Sequence, residues 1–142
     1  MKKSLLIAFI TLVSICSLSA QSDQNTTDLE AITATLNDYI DGTSNGEIDR
    51  LKQAFHPDFN LYTVVADTLR IRNGAEYISY FKEGEKNNRK GKILAIDHEN
   101  YAATAKVEIE IPDRAVYIDY FLLLKYRGAW KIVHKSYTQR FH

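Results

Sequence analysis

The residues of this sequence that could do chemistry are concentrated in its C-terminal part. Asp119 lies between Ile118 and Tyr120 in an apolar segment, and His134 lies in a second apolar segment. A carboxylate in such surroundings has a high desolvation cost unless it is paired. An imidazole there could bind a ligand or move a proton. We therefore predict Asp119 and His134 as candidate catalytic residues.

Both residues also have a structural interpretation. Asp119 could form a hydrogen bond or an ion pair with Lys135 or Arg114. A core histidine that is satisfied by a neighbour is more common than a catalytic one. His134 has the same strand parity as Trp130, on the side that we expect to face inward. This parity predicts that the imidazole points into a cavity.

Aromatic side chains with polar tips accompany these two residues. A cavity that holds a flat ligand by stacking and hydrogen bonding could be lined by Tyr39, Tyr62, Tyr80 and Tyr117. Tyrosines at core spacing are also ordinary packing. The predicted ligand-binding residues are Tyr39, Tyr62, Tyr117, Asp119, Trp130 and His134.

The sequence has no pattern for a metal or a nucleotide cofactor. The four histidines, His56, His98, His134 and His142, show no close pairing. Phosphate-loop and dinucleotide glycine motifs are missing. Ser136 has no nucleophile-elbow motif around it. We predict no metal site and no cofactor.

The N-terminus has the features of an export signal. Lys2 and Lys3 precede a short apolar run that closes at Ala20, which is typical of a secretory signal peptide and too short for a membrane span. The predicted organisation is a signal peptide at residues 1–20, a flexible tether at 21–27 and one domain at 28–142. We expect a periplasmic or secreted protein with no membrane span after signal cleavage.

Composition sets two further bounds. Cys16 is the single cysteine and leaves with the leader, so the mature chain has no disulfide. Lipidation of Cys16 is an alternative, although Ile15 before it is larger than the residue expected there. Without Lys2 and Lys3 the chain has 18 − 2 = 16 basic residues against 18 acidic ones. That balance gives no electrostatic footprint for nucleic acid.

Three helices are predicted in the first part of the chain. The first spans residues 28–41 on an apolar stripe of helical period, and Gly42 ends it. The second is short and is stopped by Pro57. A strand and its short return strand follow, and Asn73 caps the third helix.

From Lys92 onward the chain alternates in the manner of strands. Residues 103–111 place apolar side chains on one face and polar ones on the other. Residues 115–126 and 129–137, separated by Arg127-Gly128, predict a hairpin. Early helices and late antiparallel strands indicate an α+β fold with the helices on one face of a curved sheet.

The order of these elements and three local motifs resemble the nuclear transport factor two-like superfamily, most of all its "Putative lumazine-binding", SnoaL-like group. The motifs are Phe55-His56-Pro57-Asp58, the run Asp119 to Lys125 and the run Gly128 to Val133. The resemblance covers residues 28–141. It implies a cone-shaped, curved antiparallel sheet with three N-terminal helices packed on its concave face. It also implies a pocket in the sheet and a homodimer through the outer sheet face.

The superfamily contains isomerases, dehydratases and cyclases alongside binding proteins. Enzymes that resemble ketosteroid isomerase hold a catalytic carboxylate on the strand after the second helix, but residues 61–64 here contain no acid. Asp119 stands where such enzymes can hold a protonated acid. The base would then be His134 or His56.

Three functions stay open from the sequence. The first is an exported protein that binds a small hydrophobic or aromatic molecule, lumazine-like or otherwise cyclic. The second is a cofactor-free dehydratase or isomerase with His134 as base and Asp119 as its partner. The third is a dimeric interaction module whose cavity is filled by its own side chains. A common cavity for Asp119 and His134 favours the enzyme, whereas opposite faces exclude that pairing.

Overall fold

The computed structural model describes residues 26–141, and the side chains of residues 26–140. The predicted signal peptide, Cys16 and most of the tether lie outside the described residues. Residues 26 and 27, which we assigned to the tether, are already helical. From residue 31 onward the described residues form one compact unit, which contains every contact discussed below.

Three helices and six strands follow one another in the described part. They are α1 (26–45), α2 (Ile48–Ala54), β1 (Phe55–Val65), β2 (Thr68–Asn73), α3 (Gly74–Ile78), β3 (Lys90–Glu99), β4 (Ala102–Ile111), β5 (Ala115–Tyr126) and β6 (Ala129–Phe141). The strands form one curved, unclosed sheet in the order β2-β1-β6-β5-β4-β3. The predicted α+β fold is confirmed.

The sheet departs in one place from the antiparallel arrangement that we predicted. Strands β1 and β6 pair in parallel, whereas every other neighbouring pair is antiparallel. Tight turns force β3 to β6 to alternate in direction. No such turn joins β1 to β6, so β1 is free to run parallel to it. As predicted, α3 follows the strand pair β1 and β2.

The predicted hairpin of β5 and β6 is confirmed. Tyr126 pairs with Ala129 across a two-residue turn, and both turn residues have positive φ, 51° at Arg127 and 81° at Gly128. That geometry matches the right-handed twist of the flanking strands. The alternation of β4 is confirmed as well, because Ala103, Ala105, Val107 and Ile109 are all buried.

The prediction that Gly42 ends the first helix is wrong. The helix continues to residue 45 and Gly46, at φ 67°, follows it. Gly42 is needed for packing instead, since a Cβ there would lie 2.8 Å from the side chain of Leu51. The predicted cap of α3 is confirmed, because the backbone N–H of Glu76 donates to Asn73 Oδ1 at 2.9 Å.

The core lies between the helices and one face of the sheet, which we call the inner face. Its largest fully buried side chains include Ile32, Leu36, Tyr39, Phe55, Leu61, Ile109, Leu123 and Ile132. Each contributes roughly 1.5–3 kcal/mol through burial. The opposite, outer face carries the alternate side chains of each strand.

Within residues 26–141, the helices are too short or too polar to cross a membrane.

Candidate functional site

A bulge in β6 decides which of its side chains reach the inner face. Leu123 pairs with Ile132 but Leu122 pairs with His134, so Val133 is an extra residue in the ladder. One extra residue reverses the alternation of every side chain that follows it. His134 therefore lies on the outer face of the sheet.

The prediction that His134 points inward and shares a cavity with Asp119 is wrong. His134 Nδ1 lies 2.6 Å from Asn60 Oδ1, and its ring centroid lies 4.9 Å from that of Tyr62. Asp119 is fully buried on the inner face. The two residues lie on opposite faces, which excludes them as an acid–base pair.

The same bulge turns Lys135 inward, where it meets Asp119 and Tyr39. The ammonium lies 2.9 Å from Asp119 Oδ2 and donates to the Tyr39 hydroxyl at 2.8 Å. The Tyr39 hydroxyl in turn donates to Asp119 Oδ2 at 2.6 Å. The ion pair that we gave as the structural interpretation of Asp119 is therefore present. Mutual pairing is what allows two charges to be buried.

These contacts keep two of the three groups protonated. Burial raises the pKa of Tyr39 well above its ordinary value of 10.0, and the negative charge of Asp119 raises it further. Burial alone would lower the pKa of Lys135, but the charge of Asp119, its hydrogen bond to the ammonium and the neighbouring Tyr77 together outweigh burial and raise the pKa above its ordinary value of 10.5. At neutral pH Lys135 is an ammonium and Tyr39 a neutral phenol, so neither can act as a base.

A cavity of about 240 Å³ lies between α3 and the inner face, with Lys135 in its wall. It is lined by Arg72, Tyr77, Tyr80, Phe81, Arg89, Ile109, Tyr117, Lys135 and Tyr137. The Lys135 ammonium lies 5.2 Å from the ring centroid of Tyr77 and 5.1 Å from that of Tyr137. Aromatic faces are favourable surroundings for a cation. The cavity thus combines tyrosine rings with a buried positive charge.

Of the predicted ligand-binding residues, the structure brings one into this cavity, Tyr117. Tyr39 and Asp119 contact Lys135 but do not line the cavity. Trp130 is buried beside His98, at 6.4 Å between ring centroids. Tyr62 and His134 lie on the outer face.

Most of the residues that line the cavity were not predicted from the sequence. The structure confirms Tyr80, one of the tyrosines considered for a cavity, as a lining residue, and the missed residues are Arg72, Tyr77, Phe81, Arg89, Ile109, Lys135 and Tyr137. One signal was available: Trp130 and Tyr137 have opposite parity on a single strand. Two residues of opposite parity on one strand can both face inward only if a bulge separates them.

A second and larger hollow, of about 540 Å³, lies where α2, the start of β1 and α3 meet. It is lined by Lys52, Phe55, His56, Pro57, Phe59, Ala75, Ile78 and Ser79. Phe55 and Phe59 stack within it at 3.8 Å. Its charged side chain, Lys52, is exposed, whereas Lys135 in the smaller cavity is buried. We therefore take the smaller cavity as the candidate site.

Among the described side chains, no three His, Cys, Asp or Glu residues are grouped as metal ligands.

Comparisons with known proteins agree with this architecture. The family model "Putative lumazine-binding" matches residues 27–138. An NTF2-like protein of unknown function from Methylobacillus flagellatus KT is 30% identical, with 82% of this chain and 93% of that chain covered and a TM-score of 0.69. An NTF2-like protein of unknown function from Shewanella baltica OS155 is 23% identical, with 81% and 95% covered and a TM-score of 0.72.

A curated relative carries an assigned activity. "Aldolase FrzH" from Cladobotryum sp is 28% identical over 114 residues, which cover 78% of this chain and 90% of that protein. The family match and the fold together identify the chain: it belongs to the putative lumazine-binding family of the NTF2-like superfamily.

Proposed function

We propose that this is an exported protein that binds a small aromatic or cyclic molecule in the cavity between α3 and the inner face. The observation that carries this proposal is that one cavity is lined by the buried Lys135 ammonium and by four tyrosines, Tyr77, Tyr80, Tyr117 and Tyr137. Rings supply stacking area and their hydroxyls supply orientation. The volume of about 240 Å³ is below the ~300–1,000 Å³ of drug-sized sites. It suits a molecule of one or two rings, such as the lumazine in the family's description.

Binding is favoured over catalysis because the cavity lacks a base. Its described lining contains no Asp, Glu or His. Proton abstraction requires such a group within hydrogen-bond reach of the substrate. Tyr39 and Lys135, which lie closest to that role, are held in their protonated forms.

Titration calorimetry with lumazine tests the proposal. The Tyr117→Leu variant removes one ring from the cavity, so we expect about 2- to 10-fold weaker binding, the loss of one aromatic contact. The matched control is Tyr101→Leu, whose side chain is 72% exposed in a turn. It should leave the affinity unchanged. Equal affinities of all three proteins would contradict the location of the site.

Native mass spectrometry of the protein from its host extends the test to unknown ligands. A retained small molecule in the wild type, lost in Tyr117→Leu and kept in Tyr101→Leu, supports the proposal. An empty wild-type protein that also fails to bind lumazine and other one- and two-ring aromatic compounds would contradict it.

A second candidate function is catalysis through an enolate, with hydroxide or a buffer base from the solvent taking the proton next to the carbonyl, because the described cavity lining supplies no base. The aldolase name of the FrzH relative and the buried Lys135 ammonium favour it, because a fixed positive charge stabilises a developing oxyanion. The test is deuterium uptake next to the carbonyl of 2-tetralone, followed by NMR in deuterated buffer. Uptake faster than in buffer, and lost in Tyr117→Leu, would favour the enzyme over the binding protein.

The outer face of the sheet supports a homodimer. Its exposed apolar side chains are Tyr120, Leu122 and Leu124 on β5, Val64 on β1, and Leu69 and Ile71 on β2. An antiparallel sheet face in water normally carries polar residues, as β6 does here with His134 and Ser136. Exposed apolar side chains on both sides of β6 favour an interaction surface. A second copy can cover it with the same patch, as in an isologous dimer.

Export is proposed from residues 1–20 of the sequence. A basic start, a short apolar run and Ala20 have the pattern of a cleaved leader. N-terminal sequencing of the protein from the extracytoplasmic fraction should begin at Gln21. A protein that stays in the cytoplasm with Met1 intact would contradict this.

A further inference from the structure

The cavity carries more positive charge than the residues around it neutralise. Three cations line it, Arg72, Arg89 and Lys135. Lys135 is paired with Asp119, and Arg72 Nε lies 3.3 Å from Glu76 Oε1. Arg89 has no ion pair within residues 26–140. Of the three cations that line the cavity, Arg89 is therefore the one that residues 26–140 leave without a counterion.

The guanidinium of Arg89 packs against Phe81 and has one N–H donor without a partner among the described atoms. Its guanidinium lies 5.0 Å from the ring centroid of Phe81, which fixes the guanidinium against the cavity wall. Its Nε is buried and, among the described atoms, has no hydrogen-bond partner. Native proteins rarely leave a buried donor unpaired, and such cases often mark the place of a ligand or a water.

Lys135, in the same cavity wall, also has a hydrogen bond to give. Lys135 uses two of its three N–H donors, one for Tyr39 and one for Asp119. A water molecule could accept one of these bonds, but it would leave the charge of Arg89 uncompensated. An anion satisfies both the donors and the charge.

We propose that the ligand is an anion, an aromatic or cyclic molecule whose carboxylate or equivalent oxyanion accepts hydrogen bonds from Arg89 and Lys135. The inference rests on the proposed function and adds the charge of the ligand to it. The planar guanidinium of arginine fits a carboxylate in particular. The ring of the ligand would lie among Tyr80, Tyr117 and Tyr137.

Two ligands of the same shape separate this inference from the proposed function. 2-Naphthoate and 2-naphthamide share their rings and differ in charge, and calorimetry gives both dissociation constants at low salt. We expect naphthoate to bind about 10- to 100-fold more tightly, the range of charge-assisted hydrogen bonds. Equal binding of the two overturns the inference and leaves the proposed function standing. If neither compound binds, the result contradicts both this inference and the proposed function. Inorganic phosphate should compete weakly, and competition as strong as naphthoate would indicate a site for a free anion without a ring.

Variants assign the effect to Arg89. Arg89→Gln should weaken naphthoate binding about 10- to 100-fold and change naphthamide binding by less than about 3-fold. Arg89→Lys keeps the charge and should retain part of the preference for naphthoate, which guards against a folding defect in the glutamine variant. The matched control is Arg140→Gln, on the outer face and 69% exposed, which should bind as the wild type does. Equal loss for both ligands in Arg89→Gln would overturn the assignment.

Discussion

The Lys135 ammonium lies 2.9 Å from Asp119 Oδ2, in an ion pair whose side chains are 6% and 0% exposed. The residue that most suggested catalysis from the sequence, Asp119, is therefore held by a cation on the neighbouring strand. The cation in turn borders the cavity. Asp119 holds the Lys135 ammonium at the border of the cavity, so this pair provides a fixed positive charge there rather than an acid and a base.

Removing one partner of this ion pair should destabilise the fold strongly. Asp119→Asn leaves the buried ammonium without a counter-charge, and we expect a loss of about 3–5 kcal/mol in the free energy of unfolding. Urea denaturation measures it. The double variant Asp119→Leu with Lys135→Met replaces both charges by apolar groups and should regain most of that loss. A loss below about 1 kcal/mol in the single variant would be inconsistent with a buried pair.

The protein should lose stability in alkali. The pKa values of Tyr39 and Lys135 are both raised in the folded state, whereas the unfolded chain loses these protons near 10.0 and 10.5. The unfolded state therefore binds fewer protons in this range, and the free energy of unfolding falls as pH rises. Their contribution is fully present below about pH 10 and is lost as pH rises through the folded pKa values.

Urea denaturation at several pH values from neutral to strongly alkaline measures this dependence. Tyr39→Phe removes one of the two titrating groups, so its stability should fall less steeply with pH. A matched control is Tyr101→Phe, in an exposed turn, which should follow the wild-type curve. A wild-type stability that rises above about pH 10 would contradict the pKa directions.

Gly42→Ala should destabilise the protein although alanine favours helices. The helix propensity gained is about 1 kcal/mol, but the new Cβ would lie 2.8 Å from Leu51, and overpacking costs about 1–3 kcal/mol. Thermal unfolding compares the variant with the wild type. Leu51→Ala makes room, so adding Gly42→Ala to it should be neutral or stabilising. A stabilised single variant would show that Leu51 can move aside.

Charge on the outer face should separate the proposed dimer. Leu122→Lys places an ammonium between Tyr120 and Leu124, the neighbouring exposed apolar side chains of β5, and burying it unpaired at an interface is costly. We expect sedimentation velocity to detect a dimer for the wild type and a monomer for the variant. Tyr101→Lys, in the turn, is the control and should remain dimeric. A monomeric wild type would refute the dimer.

Local patterns predicted much of this fold. The alternation of β4, the turn at Arg127-Gly128 and the Asn73 cap each depend on a few neighbouring residues, so composition and spacing were enough. The bulge at Val133 depends on pairing with β5, and its one mark in the sequence is the opposite parity of Trp130 and Tyr137. It moved His134 out of the site and Lys135 into it.

The remaining members of the site were missed for a different reason. Arg72 and Arg89 are far from Lys135 in the chain and meet it only because the sheet curves over α3. In the sequence Arg89 stands in a mixed-charge loop, a pattern that usually indicates solvated surface. Only the tertiary structure indicates that one of its nitrogens is buried.

Fluorine NMR of the protein labelled with 3-fluorotyrosine tests the central claim most directly, because the nine tyrosines sample both faces of the sheet. The ligand is whichever of lumazine and 2-naphthoate binds more tightly. We predict that the resonances of Tyr77, Tyr80, Tyr117 and Tyr137 shift on titration, while those of Tyr62, Tyr101, Tyr120 and Tyr126 stay in place. Shifts at Tyr62 and Tyr120 with none at the four cavity tyrosines would place the ligand on the outer face and contradict the account.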